Sequence, residues 1–161
     1  MTVQKTSSNE VNGSLIEWKN GTKEWRNFKG SLHRLGGLPA MEFVDGGKEW
    51  WVNGKLHRED GPAEIRSDGS KAWWVNGKLH RTDGPAIEHA HGGKEWFVNG
   101  LRHRVGGPAF EWFDGLKEWF VNDVLHREDG PAVEFVNGSK EWWINGEELS
   151  EEEFLKRVKH S

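Results

Sequence analysis

A 23-residue period predicts an all-β fold, a single-domain array of β-hairpin repeats with a short C-terminal capping α-helix. Three observations carry this reading. The phrase KEWWVNGKLHREDGPA, from Lys48 to Ala63, returns from Lys71, Lys94 and Lys117, with a looser copy from Lys23 and a truncated one, KEWWING, from Lys140. Pro39, Pro62, Pro85, Pro108 and Pro131 keep the same 23-residue step. Each copy also joins aromatic and β-branched residues to Asn-Gly and Asp-Gly pairs, which is strand chemistry followed by turn chemistry.

The elements follow in chain order. Residues 1–10 are polar and are expected to be flexible. The array is expected over 11–149, beginning with a half-repeat at Val11. In each full repeat Glu49-Trp50-Trp51-Val52 and its copies form a strand. Asn53-Gly54 turns the chain, and Lys55-Leu56-His57 follows as a short strand or a wide loop. Pro62, without an N–H, belongs at a strand start or on an unpaired side. Ala63 opens the second strand, and an Asp-Gly pair leads to the next Lys-Glu-Trp. Residues 150–161 break the pattern. Ser150 and Glu153 form a capping box, Leu149 and Phe154 a hydrophobic staple, and Phe154, Leu155 and Val158 share one helical face. This helix is expected to lie over the last strands and close an exposed sheet end.

Composition narrows the function classes. The 161-residue chain has no cysteine, so disulfides and thiolate metal sites are excluded and a reducing compartment fits. A formal net charge of −4 argues against general nucleic-acid binding, while leaving room for a local basic stripe. No apolar run is long enough to span a membrane, and MTVQKTSSNE lacks the apolar core of a signal peptide. With 11 Trp, 8 Phe and no Tyr, the aromatic usage is lopsided. The 21 glycines sit at fixed repeat positions and read as turns rather than low complexity.

The strand followed by Asn53-Gly54-Lys55-Leu56-His57 and a later Gly61, at this period, resembles MORN repeats, and most closely their short bacterial variant. The resemblance covers roughly residues 11–146. Arg34, Arg58, Arg81, Arg104 and Arg127 stand where MORN units place Gly directly after His, and Tyr is absent. The HR-x-DGPA form with a closing helix is similar to repeat proteins of phages and large viruses. The resemblance implies a sheet of successive hairpins and no catalysis, since MORN arrays bind and scaffold proteins or lipid head groups. It also points to a cytoplasmic location, that of the host cell if the protein is viral.

Candidate chemistry lies in three columns. His33, His57, His80, His103 and His126 recur once per repeat, about 10 Å apart if each repeat is a hairpin. A zinc ion needs donors at about 2 Å, so these histidines cannot share one; each is expected to bond its own loop. His89 and His91 supply only two ligands, and no metal or other cofactor is expected. Arg58 with Asp60, Arg81 with Asp83 and Arg127 with Asp129 are expected to form local ion pairs. Repeat four has Gly106 in place of that Asp and adds Arg102, so Arg102-His103-Arg104 reads as the least neutralised basic spot and a candidate anion site.

The aromatic column is the strongest signal. Trp25, Trp50, Trp73, Trp96, Trp119 and Trp142 form one ladder; Trp51, Trp74, Phe97, Phe120 and Trp143 form a second at the adjacent residue. Adjacent strand residues point to opposite faces. The first ladder keeps one ring size and is assigned to the core, and the second to the exposed, candidate binding face. No catalytic motif appears, and the same groups repeat along a line rather than converge on a point. The expected function is non-enzymatic binding of another protein, a host factor on the phage-type resemblance, with self-association through a sheet edge also open. The alternative is a small-ligand module, either an aromatic cage for choline or glycans or an arginine stripe for an anionic nucleotide.

Overall fold

The Asn-Gly pairs at 53–54, 76–77, 99–100 and 145–146 bend the chain into hairpins whose central residues both have positive φ, 50° at Asn53 and 79° at Gly54, as the tight turn that matches strand twist demands. A computed structural model of the protein describes residues 3–9 and 13–159. The chain is an all-β array of such hairpin repeats with one helix, and it divides into two units, Met1–Leu79 and His80–Ser161.

The first unit contains β1 (Val3–Asn9), β2 (Gly13–Trp18), β3 (Lys23–Arg26), β4 (Met41–Glu42), β5 (Lys48–Glu49), β6 (Trp51–Val52), β7 (Lys55–Leu56), β8 (Glu64–Ile65), β9 (Lys71–Ala72), β10 (Trp74–Val75) and β11 (Lys78–Leu79). Its antiparallel sheet runs β1-β2-β3-β4-β5-β8-β9, while β6–β7 and β10–β11 are separate small hairpins. The second unit contains β12 (Ile87–Glu88), β13 (Lys94–Glu95), β14 (Phe97–Val98), β15 (Leu101–Arg102), β16 (Phe110–Glu111), β17 (Lys117–Glu118), β18 (Phe120–Val121), β19 (Val124–Leu125), β20 (Val133–Glu134), β21 (Lys140–Ile144), β22 (Glu147–Leu149) and α1 (Glu151–Val158). Here the sheet runs β12-β13-β16-β17-β20-β21-β22, with β14–β15 and β18–β19 as small hairpins.

The Lys-Glu-Trp-Trp-Val strand is therefore divided. Lys48-Glu49 belongs to the main sheet and Trp51-Val52 to the small hairpin, with Trp50 at the junction. Trp50 donates its N–H to the Ala63 carbonyl at 2.8 Å, and its own carbonyl accepts from His57 at 3.0 Å. The same Trp-to-Ala bond, 2.8 Å each time, recurs from Trp25 to Ala40, Trp96 to Ala109 and Trp119 to Ala132. The alanines that follow each proline, Ala40, Ala63, Ala86, Ala109 and Ala132, are 0% exposed and form the core column in their units. No large side chain is fully buried among the described residues. The fold rests on a sheet with rings on both faces rather than on a thick interior, and a residue this small lets neighbouring backbones approach.

Two expectations change. Residues 3–9 pair with β2 as strand β1, so the sheet begins before Val11, which itself lies outside the described residues. The helix ends at Val158, and His160 and Ser161 of the expected 150–161 segment also lie outside them. Its capping box is present: Ser150 Oγ accepts from the Glu153 N–H, and Glu153 takes the Ser150 N–H at 2.9 Å. Phe154 is buried against Ile144 and Leu149, with Trp142 and Val158 around them, whereas Leu155, expected on that face, is exposed. No described helix is long and apolar enough to cross a membrane.

Candidate functional site

Register assigns the faces. In the second unit Glu95 opposes Phe110, Phe110 opposes Glu118, Glu118 opposes Val133, and Val133 opposes Glu141. These side chains share one face, with Phe97, Phe120 and Trp143 two residues on from the glutamates. The other face carries Lys94, Glu111, Lys117, Glu134 and Lys140 in turn, with Trp96, Trp119 and Trp142 beside them. The two ladders do occupy opposite faces, but burial does not separate them. Trp50 of the first and Phe97 of the second are each 8% exposed, and the described rings otherwise are half-buried in both. What separates the faces is what covers the rings.

On the first face four rings lie under an arginine of their own unit. The guanidinium carbon sits 3.6 Å from the ring centre for Arg34 on Trp25, 4.2 Å for Arg58 on Trp50, 3.8 Å for Arg104 on Trp96 and 4.0 Å for Arg127 on Trp119. Such stacking is an attraction of the cation to the ring quadrupole. The expected ion pairs are present, Arg58–Asp60 at 2.8 Å, Arg81–Asp83 at 2.9 Å and Arg127–Asp129 at 2.6 Å. The hydrogen bonds from Arg58 and Arg81 hold the Asp60 and Asp83 carboxyls below their usual range. A carboxylate from the following strand reaches most of these arginines, Glu42 for Arg34, Glu88 for Arg81, Glu111 for Arg104 and Glu134 for Arg127, and for Arg81 and Arg127 it is the second. In the repeat of Arg58, Glu64 and Ile65 exchange places in the strand, and Glu64 pairs with Arg66 instead.

Arg102-His103-Arg104 is met by strand carboxylates rather than by a loop Asp. Arg104 stacks on Trp96, donates to the Pro108 carbonyl at 3.0 Å and pairs with Glu111 at 2.7 Å, without the loop Asp that Arg81 and Arg127 carry as well. Arg102 lies on the opposite face and pairs with Glu95 at 3.3 Å. His103 has its Nδ1 buried without a partner.

On the second face a simple pairing rule holds. Where the ladder residue is Trp, its indole N–H reaches the glutamate two residues earlier, at 2.7 Å from Trp51 to Glu49 and 3.0 Å from Trp143 to Glu141. Residue 72 is Ala, and the Trp74 indole N–H is buried without a partner. Where the ladder residue is Phe there is no donor. Glu95, before Phe97, is served instead by Arg102 and by His89 at 3.0 Å. Glu118, before Phe120, has no hydrogen-bond partner among the described residues. Burial pushes the Glu118 carboxyl above its usual range; Arg102 offsets this, and Glu141 and Glu95 add to it. Burial likewise raises Glu49, against the bond from Trp51, with Glu64 directly opposite adding repulsion.

Arg102 fills an aromatic box on this face, its guanidinium carbon 5.6 Å from Phe97, 6.0 Å from Phe110 and 5.6 Å from Phe120. In the first unit the same face leaves an open groove of about 340 Å³ lined by Trp51, Leu56 and Trp74. Nearer the Asp-Gly turns of the second unit, Phe110 stacks on Trp112, and His89, His91 and Phe113 gather around that indole within 5.5 Å. Phe113 is 59% exposed and Val136 61%.

The histidines reach beyond their own loops, within which Nε2 of His57 and His126 lies 3.7 Å and 3.8 Å from Glu59 and Glu128. Nδ1 of His33, His57, His80 and His126 accepts the backbone N–H of Asn53, Asn76, Asn99 and Asn145, the turn of the next repeat, at 3.1–3.2 Å. They act as links between repeats. His103 lacks this link, and the turn that follows is Asn122-Asp123, where Asp123 Oδ1 accepts the Arg102 N–H at 2.7 Å instead. No described group of three or more metal-ligating side chains is placed to hold an ion.

Of the sequence-selected residues, Trp51, Trp74, Phe97, Phe120, Trp143 and Arg102 belong to the second face, while Arg104 belongs to the first. The glutamate column and the pair Phe110 and Trp112 were missed. The signal for the glutamates was present, because Glu in Lys-Glu-Trp-Trp stands two residues before the second ring and must share its face. No protein-family model matches the chain, and a search of curated proteins finds no match.

Proposed function

We propose that this protein is a non-enzymatic repeat scaffold, MORN-like in its repeat phrase, that binds another protein through the glutamate-and-ring face of the unit His80–Ser161 and the turn row beside it. One observation carries the reading. Phe113 and Val136 project from Asp-Gly-type turns whose equivalents are Val44, Ser67 and Ala90, so the turn itself requires no large apolar residue there. Exposed apolar side chains that the fold does not require mark interaction sites. The first face gives anion capture little support, since its arginines are stacked and paired. The phage-type phrase directs the search toward proteins of a host cell.

The test is capture of partners by the immobilised chain against a Phe113→Ser/Val136→Ser variant with an unchanged melting curve. Selective loss of one captured protein supports the reading. Identical capture by both proteins refutes it, and dimerisation of the free chain in sedimentation would point to self-association through the outer edge of β1.

A further inference from the structure

Four small hairpins and the β21–β22 pair place a residue over the second ladder, opposite its ring: Leu56, Leu79, Arg102, Leu125 and Glu148 stand against Trp51, Trp74, Phe97, Phe120 and Trp143. Only one of them is a cation. Arg102 shows what this face does with a guanidinium: rings close around it and the strand glutamate pairs with it. One repeat further on, the rings are Phe120 and Trp143 and the strand carboxylates are Glu118 and Glu141. Leu125 stands where the arginine stood, and exposed Glu148 lies opposite Trp143. Glu141 is held by the Trp143 indole, whereas the Glu118 carboxylate makes no hydrogen bond among the described residues and meets the Arg102 charge only through space. This half of the face therefore pairs apolar rings with an excess of negative charge and one half-buried carboxylate that lacks a donor.

We infer that the partner is recognised as a basic, apolar-flanked segment whose Arg or Lys side chain enters between Phe120 and Trp143 and bonds Glu118. The inference rests on the protein-binding reading above and adds the partner's chemistry to it. Charge complementarity selects the occupant: a half-buried carboxylate without a donor favours a charged one, and flanking rings favour a cation with apolar neighbours. A lone acidic or neutral apolar segment leaves Glu118 buried and unpaired, which is the more costly outcome.

The probe is the peptide acetyl-Leu-Arg-Leu-Lys-Leu-amide, titrated into the full chain while the Trp143 indole ¹⁵N–¹H signal is followed. Binding should shift that signal, and Glu118→Gln should weaken binding about tenfold or more without lowering the melting temperature. Equal binding by Glu118→Gln overturns the proposal, as does equal binding of a peptide with Glu at both basic positions. Equal binding of a peptide with Gly for each Leu also overturns it, because a bare cation would then suffice. The two readings fail separately. A captured protein lost by Phe113→Ser/Val136→Ser but kept by Glu118→Gln leaves protein binding intact and removes this site.

Discussion

The two faces of the sheet carry rings at the same spacing and with similar burial, yet they are finished differently. On one, the chain supplies its own cations: Arg58 on Trp50, Arg104 on Trp96 and Arg127 on Trp119, each tied further to carboxylates and a proline carbonyl. On the other, the rings stand over glutamates, and satisfaction varies from repeat to repeat: complete at Trp51–Glu49, missing its acceptor at Trp74, missing its donor at Glu118. A face closed by a stacked arginine at Trp25, Trp50, Trp96 and Trp119 serves the fold. A face whose closure differs at each step has been left free to differ, and that is where a partner's chemistry can be matched. Repeat arrays permit this because each unit contacts chiefly its neighbours.

Breaking the closed face should have the largest effect. Trp50→Ala removes the buried ring, its indole bond to the Gly37 carbonyl at 2.8 Å and the platform for Arg58, and should cost about 3–5 kcal/mol in a denaturant melt. Trp51→Ala, the neighbour on the open face, should lose about 2 kcal/mol, from partial ring burial and one charge-assisted bond to Glu49. If the second loss matches or exceeds the first, the faces have been given the wrong roles.

Smaller changes sharpen the contrast. Trp74→Phe deletes an indole N–H that already lacks an acceptor, so stability should hold or rise by up to about 1 kcal/mol; the same change at Trp51 should destabilise. The smallest effect is expected from Glu118→Gln. Its carboxyl is raised in the folded state, so folding is disfavoured above the ordinary carboxylate range, and the penalty fades as pH falls through the folded value and the group is protonated. The variant should melt slightly above the native protein at neutral pH, with the gap closing in acid. A gap that widens in acid contradicts the sign.

Much of this was legible in the chain. The 23-residue period gave hairpins, Asn53-Gly54 gave the positive-φ turn, Ser150 with Glu153 gave the helix start, and the adjacency of Trp50 and Trp51 gave opposite faces. Strand pairing was harder to read. A local pattern does not show which loop a histidine reaches, and His57 proved to bond Asn76 in the following repeat rather than its own loop. The strand carboxylates of Arg102 and Arg104 stayed hidden for a related reason. Their carboxylates are Glu95 and Glu111, seven residues away in each case, brought close by the sheet rather than by the loop. The core also escaped notice because a recurring alanine after proline looks like part of a turn, although Ala63 and Ala109 are the most enclosed positions of their strands.

The central claim is that the first ladder is sealed by the chain's own arginines and the second is the face a partner meets. The indole ¹⁵N–¹H spectrum of the full chain, recorded with and without the captured partner, tests it most directly. The account predicts that the Trp143 and Trp112 signals shift or broaden while those of Trp96, Trp119 and Trp142 stay in place. Movement of the Trp96 and Trp119 signals with Trp143 and Trp112 unchanged would contradict it.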